Sequence, residues 1–353
     1  MYLPHILAQT RLDTHAPSYM RPAGAPAASQ ATLGWGLTIV AIVVVVVIAV
    51  LLLVAIMRKR DDLNSSGMSD TQNDTQHGAQ RGTQKNTSRK SIVSGLSWIY
   101  VGLPITVVIL IAAFAATLVS LENTAHAPSR PQITLDITAH QWWWEVHVED
   151  SVPGDEFVTA NEIHVPVGVP VRVRVQSQDV IHSFWVPELL GKMDVIPGQL
   201  NETWLRADRA GTYRGACAEY CGLQHAHMAF AITAEPRAMY DRWAAAQRAS
   251  SASTLPPNAA LPPNAAHGEA VFVASCSACH AVRGTNALGR LGPDLTHVAS
   301  RQTIGAGLVD NTPANLMRWI ANAQAMKPGV LMPKMDLRHD DVAAVAAYLT
   351  TLH

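Results

Sequence analysis

Two stretches of this chain carry no charge: residues 22–57 and 91–121 hold no Asp, Glu, Lys or Arg. Leu37–Met57 and Ile99–Leu118 are almost wholly Val, Ile, Leu and Ala. About 20 such residues in a helix span the roughly 30 Å of a bilayer's hydrocarbon. β-Branched residues form helices poorly in water, but in lipid the backbone can satisfy itself only within the segment, which overrides that preference. Transmembrane helices are expected over 34–57 and 97–121. They account for a charged fraction of only 15%, against about 25% in an ordinary soluble domain. Elsewhere 26 basic residues nearly cancel 27 acidic ones, so no global field points to nucleic acid. Four cysteines in 353 residues are too few for a disulfide framework.

The basic residues set the orientation. Arg58, Lys59, Arg60, Arg81, Lys85, Arg89 and Lys90 lie between the two blocks, whereas residues 1–33 hold only Arg11 and Arg21, and residues 122–150 only Arg130. Cytoplasmic loops concentrate Lys and Arg, so residues 58–90 are expected in the cytoplasm and both ends of the chain outside it. That loop is rich in Ser, Thr, Asn, Gln and Gly and reads as disordered. Residues 1–33 form an extracytoplasmic N-terminal segment lacking the basic start and apolar core of a cleaved signal, so the first membrane helix serves as an uncleaved one.

Beyond Glu122 the pattern turns to short strands: Gln132–Ile137, Glu162–Pro166, Val169–Val175, Val195–Trp204 and Ala229–Thr233, with a helix only at Met239–Ala246. Residues 122–249 read as an all-β sandwich. Residues 250–266 follow as a linker in which Leu-Pro-Pro-Asn-Ala-Ala occurs twice, semi-rigid and partly extended. If that tether is slack, deleting Leu255–Ala260 leaves any transfer between the domains it joins nearly unchanged. Residues 267–353 form a last, all-α unit, with helices at Gly268–Cys279 and Asp340–Leu352.

All four cysteines fall in two motifs. The first runs Cys217-Ala-Glu219-Tyr-Cys221-Gly-Leu-Gln-His225-Ala-His227-Met228. Two thiolates, an imidazole and a thioether form a soft donor set suited to copper, and thiolates four residues apart could bridge two ions. His182, in Asp179-Val-Ile-His182-Ser-Phe-Trp, is the candidate second imidazole from another loop. A Cys217–Cys221 disulfide outside the membrane is the competing reading. The second motif, Cys276-Ser-Ala-Cys279-His280, has the spacing of c-type haem attachment, with both thiols on one helical turn and His280 following to bind iron. A zinc site would need more thiolate or imidazole ligands nearby, and no further cysteine exists.

Residues 91–248 resemble subunit II of the haem–copper cytochrome c oxidases, on His140-Gln-Trp-Trp-Trp144, Ser177–Ser183, Met193–Gly198 and the cysteine motif. The resemblance implies a cupredoxin-like sandwich with a binuclear copper A centre. Cys217 and Cys221 would bridge the coppers and His182 and His225 would be terminal ligands. Met228 and the backbone carbonyl of Glu219 would be weak ligands. It also implies a magnesium ion, shared with subunit I, at the Glu219 carboxylate with Asp194 nearby. Trp142 would be where electrons enter, and His227 a spectator. In a strand Trp142 and Trp144 would share one face and Trp143 the other. Residues 267–353 are similar to a class I cytochrome c, with Gly292-Pro-Asp-Leu295 matching the loop beneath the haem. A methionine sixth ligand would come from Lys327-Pro-Gly-Val-Leu-Met332-Pro-Lys-Met335; the Met-Pro step favours Met332, with Met335 as alternative.

The implied protein is membrane-anchored and multidomain. It is the electron-receiving subunit of a proton-translocating cytochrome c oxidase in the cell (inner or plasma) membrane, with copper and haem domains on the periplasmic or extracellular side. Its implied partners are subunits I and III, a soluble or membrane cytochrome c or other donor, and the lipid bilayer. No set of intramembrane histidines exists here to reduce oxygen, a task the family assigns to subunit I. A copper A subunit of a nitric oxide reductase and a free-standing membrane electron carrier are the alternatives. One departure is that Ser94–Pro104 lacks the glutamate that family members commonly carry at the start of the second membrane helix, near a proton channel of subunit I. His5, His15, His126, His267, His297, His339 and His353 read as surface residues.

Overall fold

The structure, a computed structural model, describes residues 18–66, 87–150, 154–250 and 261–353. It divides into two compact units, residues 32–122 and the residues on either side of them. Of the expected loop 58–90, residues 67–86 lie outside the described residues, as do His5, His15 and residues 251–260 of the expected linker.

The first unit holds the apolar parts of α1 (Ala25–Ser66) and α2 (Thr87–Ala125). Both are long and apolar enough to cross a membrane, and none of their apolar window is buried within the chain, unlike the core helix of a soluble domain. Pro104 lies inside α2 and removes one backbone donor; two residues on, Thr106 donates its hydroxyl to Gly102 O at 3.0 Å. Both helices outrun the expected 34–57 and 97–121, because helical hydrogen bonding continues through the polar and small residues that flank an apolar block. The start of α1 belongs to the second unit. Ala23, Ala27 and Ala31 are buried there, and Gly24 passes so close that a Cβ would stand 2.6 Å from Leu189 O.

Residues 133–235 form two five-stranded sheets. One has the order β3 (Phe157–Ala160), β2 (Trp143–Glu149), β1 (Ile133–His140), β5 (Val171–Ser177), β8 (Asn201–Leu205). The other is β4 (Glu162–Pro166), β10 (Ala229–Glu235), β9 (Gly211–Cys217), β6 (His182–Trp185), β7 (Met193–Val195). Period-two burial along β1 and β2 sends Ile133, Leu135, Ile137, Trp144, Val146 and Val148 into the space between the sheets. Trp144, fully buried, meets Phe184 and Phe230 edge-on at 5.6 and 5.3 Å. The single strand expected over Val195–Trp204 is instead β7 and β8, separated by a turn in which Gly198 adopts φ +75°. The helix α3 (Arg237–Arg248) closes this domain.

The C-terminal domain contains α4 (Pro263–Ser275), a hairpin of β11 (Thr303–Ile304) and β12 (Val309–Asp310), α5 (Pro313–Met326) and α6 (His339–Leu349). Pro263 occupies the first turn of α4, where a missing N–H costs nothing, so the helix begins inside the stretch expected as linker. It ends before the haem motif: Cys276–Cys279 form the turn after α4 rather than part of the helix expected over Gly268–Cys279. Gly268 lets α4 and α6 touch, since a Cβ there would meet Ala344 O at 1.9 Å.

Candidate copper and haem sites

The first site forms where β6 and β9 run side by side. Cys217 ends β9 and Met228 precedes β10, and the loop between them is tied shut by Cys217 N–H donating to Met228 O at 3.0 Å. Gly222, at φ +111°, lets that loop turn, and a short 3-10 turn at His225–His227 brings it back. His182 opens β6 on the neighbouring strand.

The sulfurs of Cys217 and Cys221 stand 3.7 Å apart, well beyond the roughly 2.05 Å of a disulfide, and both cysteines are free. The disulfide reading is not the arrangement found. His182 Nδ1 lies 3.9 Å from Cys217 Sγ, His225 Nδ1 3.6 Å and Met228 Sδ 3.9 Å from Cys221 Sγ, and Glu219 O 3.1 Å from Cys217 Sγ. Every copper ligand expected from the sequence is therefore in one cluster, and thiolate, imidazole and thioether are the donors copper favours. His227 is exposed and bonds Gln224 through its ring instead.

The cluster holds its charge before any metal. A side-chain hydrogen bond with Cys221 and another with His182, against an opposing burial, hold the Cys217 thiol well below the usual thiol range. The Cys217 contact and burial push the Cys221 thiol up, so the pair keeps one proton between them. Burial lowers His182, but its bonds to Asp179 and Cys217 outweigh that and leave it raised. Asp179 escaped the sequence reading. Its Oδ1 lies 2.7 Å from His182 Nε2 while Oδ2 accepts Gln141 N–H at 2.7 Å, which turns the Nδ1 of His182 towards the sulfurs. A carboxylate behind a metal-binding histidine is a recurrent support, and the signal was its position three residues before His182.

The magnesium pair is less close-knit. Glu219 sits in the copper loop, half-buried, whereas Asp194 lies exposed in β7 with Lys192 Nζ 3.5 Å from its carboxylate. The three tryptophans differ in role. Trp142 occupies the turn between β1 and β2 rather than a strand, yet is buried together with Trp144, while half-exposed Trp143 stacks on His140 at 4.3 Å. The Trp142 indole donates to Cys221 O at 3.0 Å. On another side it meets the C-terminal domain: a Cβ at Gly329 would stand 3.4 Å from its ring.

In the second site, Cys279 and His280 N–H groups both donate to Cys276 O, at 3.1 and 3.0 Å, which folds the motif into a tight turn. His280 Nδ1 is 2.8 Å from Pro293 O, leaving Nε2 for iron, and burial lowers its basicity. Gly292 forms a cradle: a Cβ there would lie 2.6 Å from the His280 ring. Leu291 and Leu331 offer apolar side chains, 76% and 81% exposed, that a bound haem would cover. The residues fit the group. Met332 and Met335 are both half-buried; only Met332 is tied down nearby, its carbonyl accepting from Gln324 at 2.8 Å.

His297, expected at the surface, is buried, because its ring bridges His353 O at 2.6 Å and Ala249 O at 3.1 Å. Lys327 was read only as part of the loop before Met332. It is 1% exposed, and its ammonium donates to Trp142 O, His227 O and Gly305 O at 2.8, 2.8 and 2.7 Å. Burial pushes it down to about 7, while the three carbonyls favour its charged form.

Residues 153–235 match the family model of the cytochrome c oxidase subunit II periplasmic domain, and residues 265–353 that of cytochrome c. The first match contains all the copper-ligand candidates and the second the haem motif and Met332. Cytochrome c oxidase subunit 2 of Alkalihalophilus pseudofirmus is 39% identical over 222 residues, 62% of this chain and 61% of that protein. The same-named protein of Bacillus sp. (strain PS3) is 32% identical over 232 residues, covering 62% of each. The chain thus spans about three fifths of the length of these relatives. Among solved structures, the periplasmic domain of subunit II of cytochrome oxidase from Bradyrhizobium japonicum is 32% identical, with 97% of that domain and 35% of this chain covered at a TM-score of 0.32. Residues 153–235 therefore belong to the cytochrome c oxidase subunit II periplasmic domains and residues 265–353 to the cytochromes c, joined here in one polypeptide.

Proposed function

We propose that the chain is the membrane-anchored, electron-receiving subunit of a cytochrome c oxidase, passing electrons from haem c to copper A and on to an oxygen-reducing subunit I. When bound, two coppers and a covalent haem would supply two one-electron centres. Cys217, Cys221, His182, His225, Met228 and the Glu219 carbonyl would hold the coppers; Cys276, Cys279, His280 and Met332 would hold the haem. Asp179 fixes the His182 tautomer, and Pro293 O does the same for His280. Trp142 excludes water from the wall of the copper loop and lies between that loop and residues 327–330. The observation that carries this reading is that Trp142 is bonded to both regions: its indole donates to the Cys221 carbonyl, and its own carbonyl accepts from Lys327 of the haem-attachment domain.

In this reading α1 and α2 cross the cell membrane, with both metal domains on the periplasmic or extracellular side. Subunits I and III and a donor such as a soluble cytochrome c are its partners, and Glu219 with Asp194 contributes to a magnesium site at the subunit I interface. The test is purification from the native membrane with metal analysis and reduced-minus-oxidised spectra. Two coppers and one covalent haem per chain, travelling with a partner that consumes oxygen on ferrous cytochrome c, is the expected result. The same metals with nitric oxide turnover alone would make it a reductase subunit, and haem without copper would overturn the reading.

A further inference from the structure

The haem-attachment domain meets the sandwich at three separate points. Glu162, at the start of β4, accepts from Gln302 N–H, Thr303 N–H and the Thr303 hydroxyl at 2.9–3.2 Å, and Ala229 N–H donates to Ala306 O at 3.1 Å. At the end of α3, Arg283 donates to Gln247 O, and His297 faces Ala249 O. The third point is the copper loop itself, where Gln224 donates to Pro328 O at 2.8 Å, Val330 packs on the sandwich core, and Lys327 is buried. Between the points the surfaces part around a cavity of about 790 Å³, lined by Asp136, His147 and Arg174 on one side and Arg283, Arg290 and Asp294 on the other. Docking therefore rests on a few contacts rather than on a continuous apolar face.

Of these contacts Lys327 is the most committed. An ammonium has three N–H donors, and all three are used: two on carbonyls of the copper domain, Trp142 and His227, and one on Gly305 of its own domain. Burying an ammonium without partners is costly, so a domain that swings free must re-solvate it and give up all the copper-domain bonds together. Two residues on, Gly329 adopts φ +88°, a conformation L side chains rarely take, and a Cβ there would stand 3.3 Å from Leu223 Cδ2 and 3.4 Å from the Trp142 ring.

We infer that Lys327 is a positioning residue: a three-carbonyl clamp that holds the haem-attachment domain docked on the copper loop, with residues 327–330 seated against Trp142. The domain is held rather than tethered, and the linker does not set the encounter. The clamp rests on the functional reading only for its consequence, electron transfer; the docking itself needs no metal.

The experiment compares the full-length chain in detergent with Lys327→Met, which keeps an unbranched apolar stem of similar size and removes its donors. Hydrogen–deuterium exchange of peptides spanning 226–232 and 300–306 reads the docked contact without metals. Haem-to-copper transfer after photoreduction reads its consequence in the loaded complex. The expected result is at least about tenfold faster exchange in both peptides and at least about tenfold slower transfer, with haem and copper spectra unchanged. Duplicating Leu255–Ala260 should leave the parent rate unaltered and slow the variant further. Unchanged exchange in Lys327→Met, or a parent rate that falls with linker length, would overturn the clamp. Should Lys327→Met fail to fold, Glu162→Gln tests the same docking from the copper side, with about threefold faster exchange of 300–306 expected and no change counting against it. Preparations without copper would remove the functional reading while leaving the exchange result to stand or fall alone.

Discussion

The two candidate metal-binding regions of this chain are built on opposite principles. In the sandwich, donor atoms from β6, β9 and the loop into β10 each stand within 4 Å of the Cys217 or Cys221 sulfur, and their support is backbone pairing and Asp179. Its core is closed by its own side chains, with Trp144 at the centre. In the C-terminal domain a short turn orders Cys276, Cys279 and His280, but Leu291 and Leu331 remain on the surface and the two methionines sit in an irregular segment. One region gathers its candidate donors on paired strands and a loop; the other sets them in a turn and an irregular segment beside a core of its own.

The difference can be broken most decisively at the cysteines. Cys217→Ser should abolish the two-copper centre, read by metal analysis and electron paramagnetic resonance, yet leave the sandwich folded by circular dichroism; unfolding there would mean that the site is not preformed. Cys276→Ala with Cys279→Ala should eliminate covalent haem on a denaturing gel and lower the melting temperature of the C-terminal domain more than copper removal lowers that of the sandwich. Equal shifts would erase the contrast. Trp144→Ala, in the metal-free protein, should cost about 3–5 kcal/mol of sandwich stability in denaturant titrations, since a fully buried indole leaves a large cavity. Asp179→Asn should weaken copper binding by about 10–100-fold with sandwich stability nearly constant, measured by competition with a chelator. Gly268→Ala should destabilise the C-terminal domain by about 1–3 kcal/mol, because the new methyl meets Ala344 O.

Chemistry was more legible than placement. Soft ligands within twelve residues of chain, with His182 outside them, announced the copper cluster, because a metal demands donor types and loops supply them locally. The Cys-x-x-Cys-His spacing was equally readable, although the thiols lie in a turn and not on the expected helix. Asp179 went unnoticed because a lone carboxylate in a loop looks like any other until the fold sets it 2.7 Å from an imidazole. His297 was misplaced, and Lys327 passed over, for a related reason. Polar residues default to the surface, and only partners from distant segments make burial tolerable.

The amino-acid sequence by itself determined the parts: two apolar spans, a β-rich and a helical domain, and the donor side chains of the two candidate sites. Those properties follow from local composition, periodicity and spacing, which no distant residue can change. Only the tertiary structure decided how the parts meet: Trp142 wedged between the Cys221 carbonyl and Gly329, and Lys327 shared among three carbonyls. Most of these contacts join residues 79 to 185 positions apart, and their geometry is the sum of every strand and helix between them.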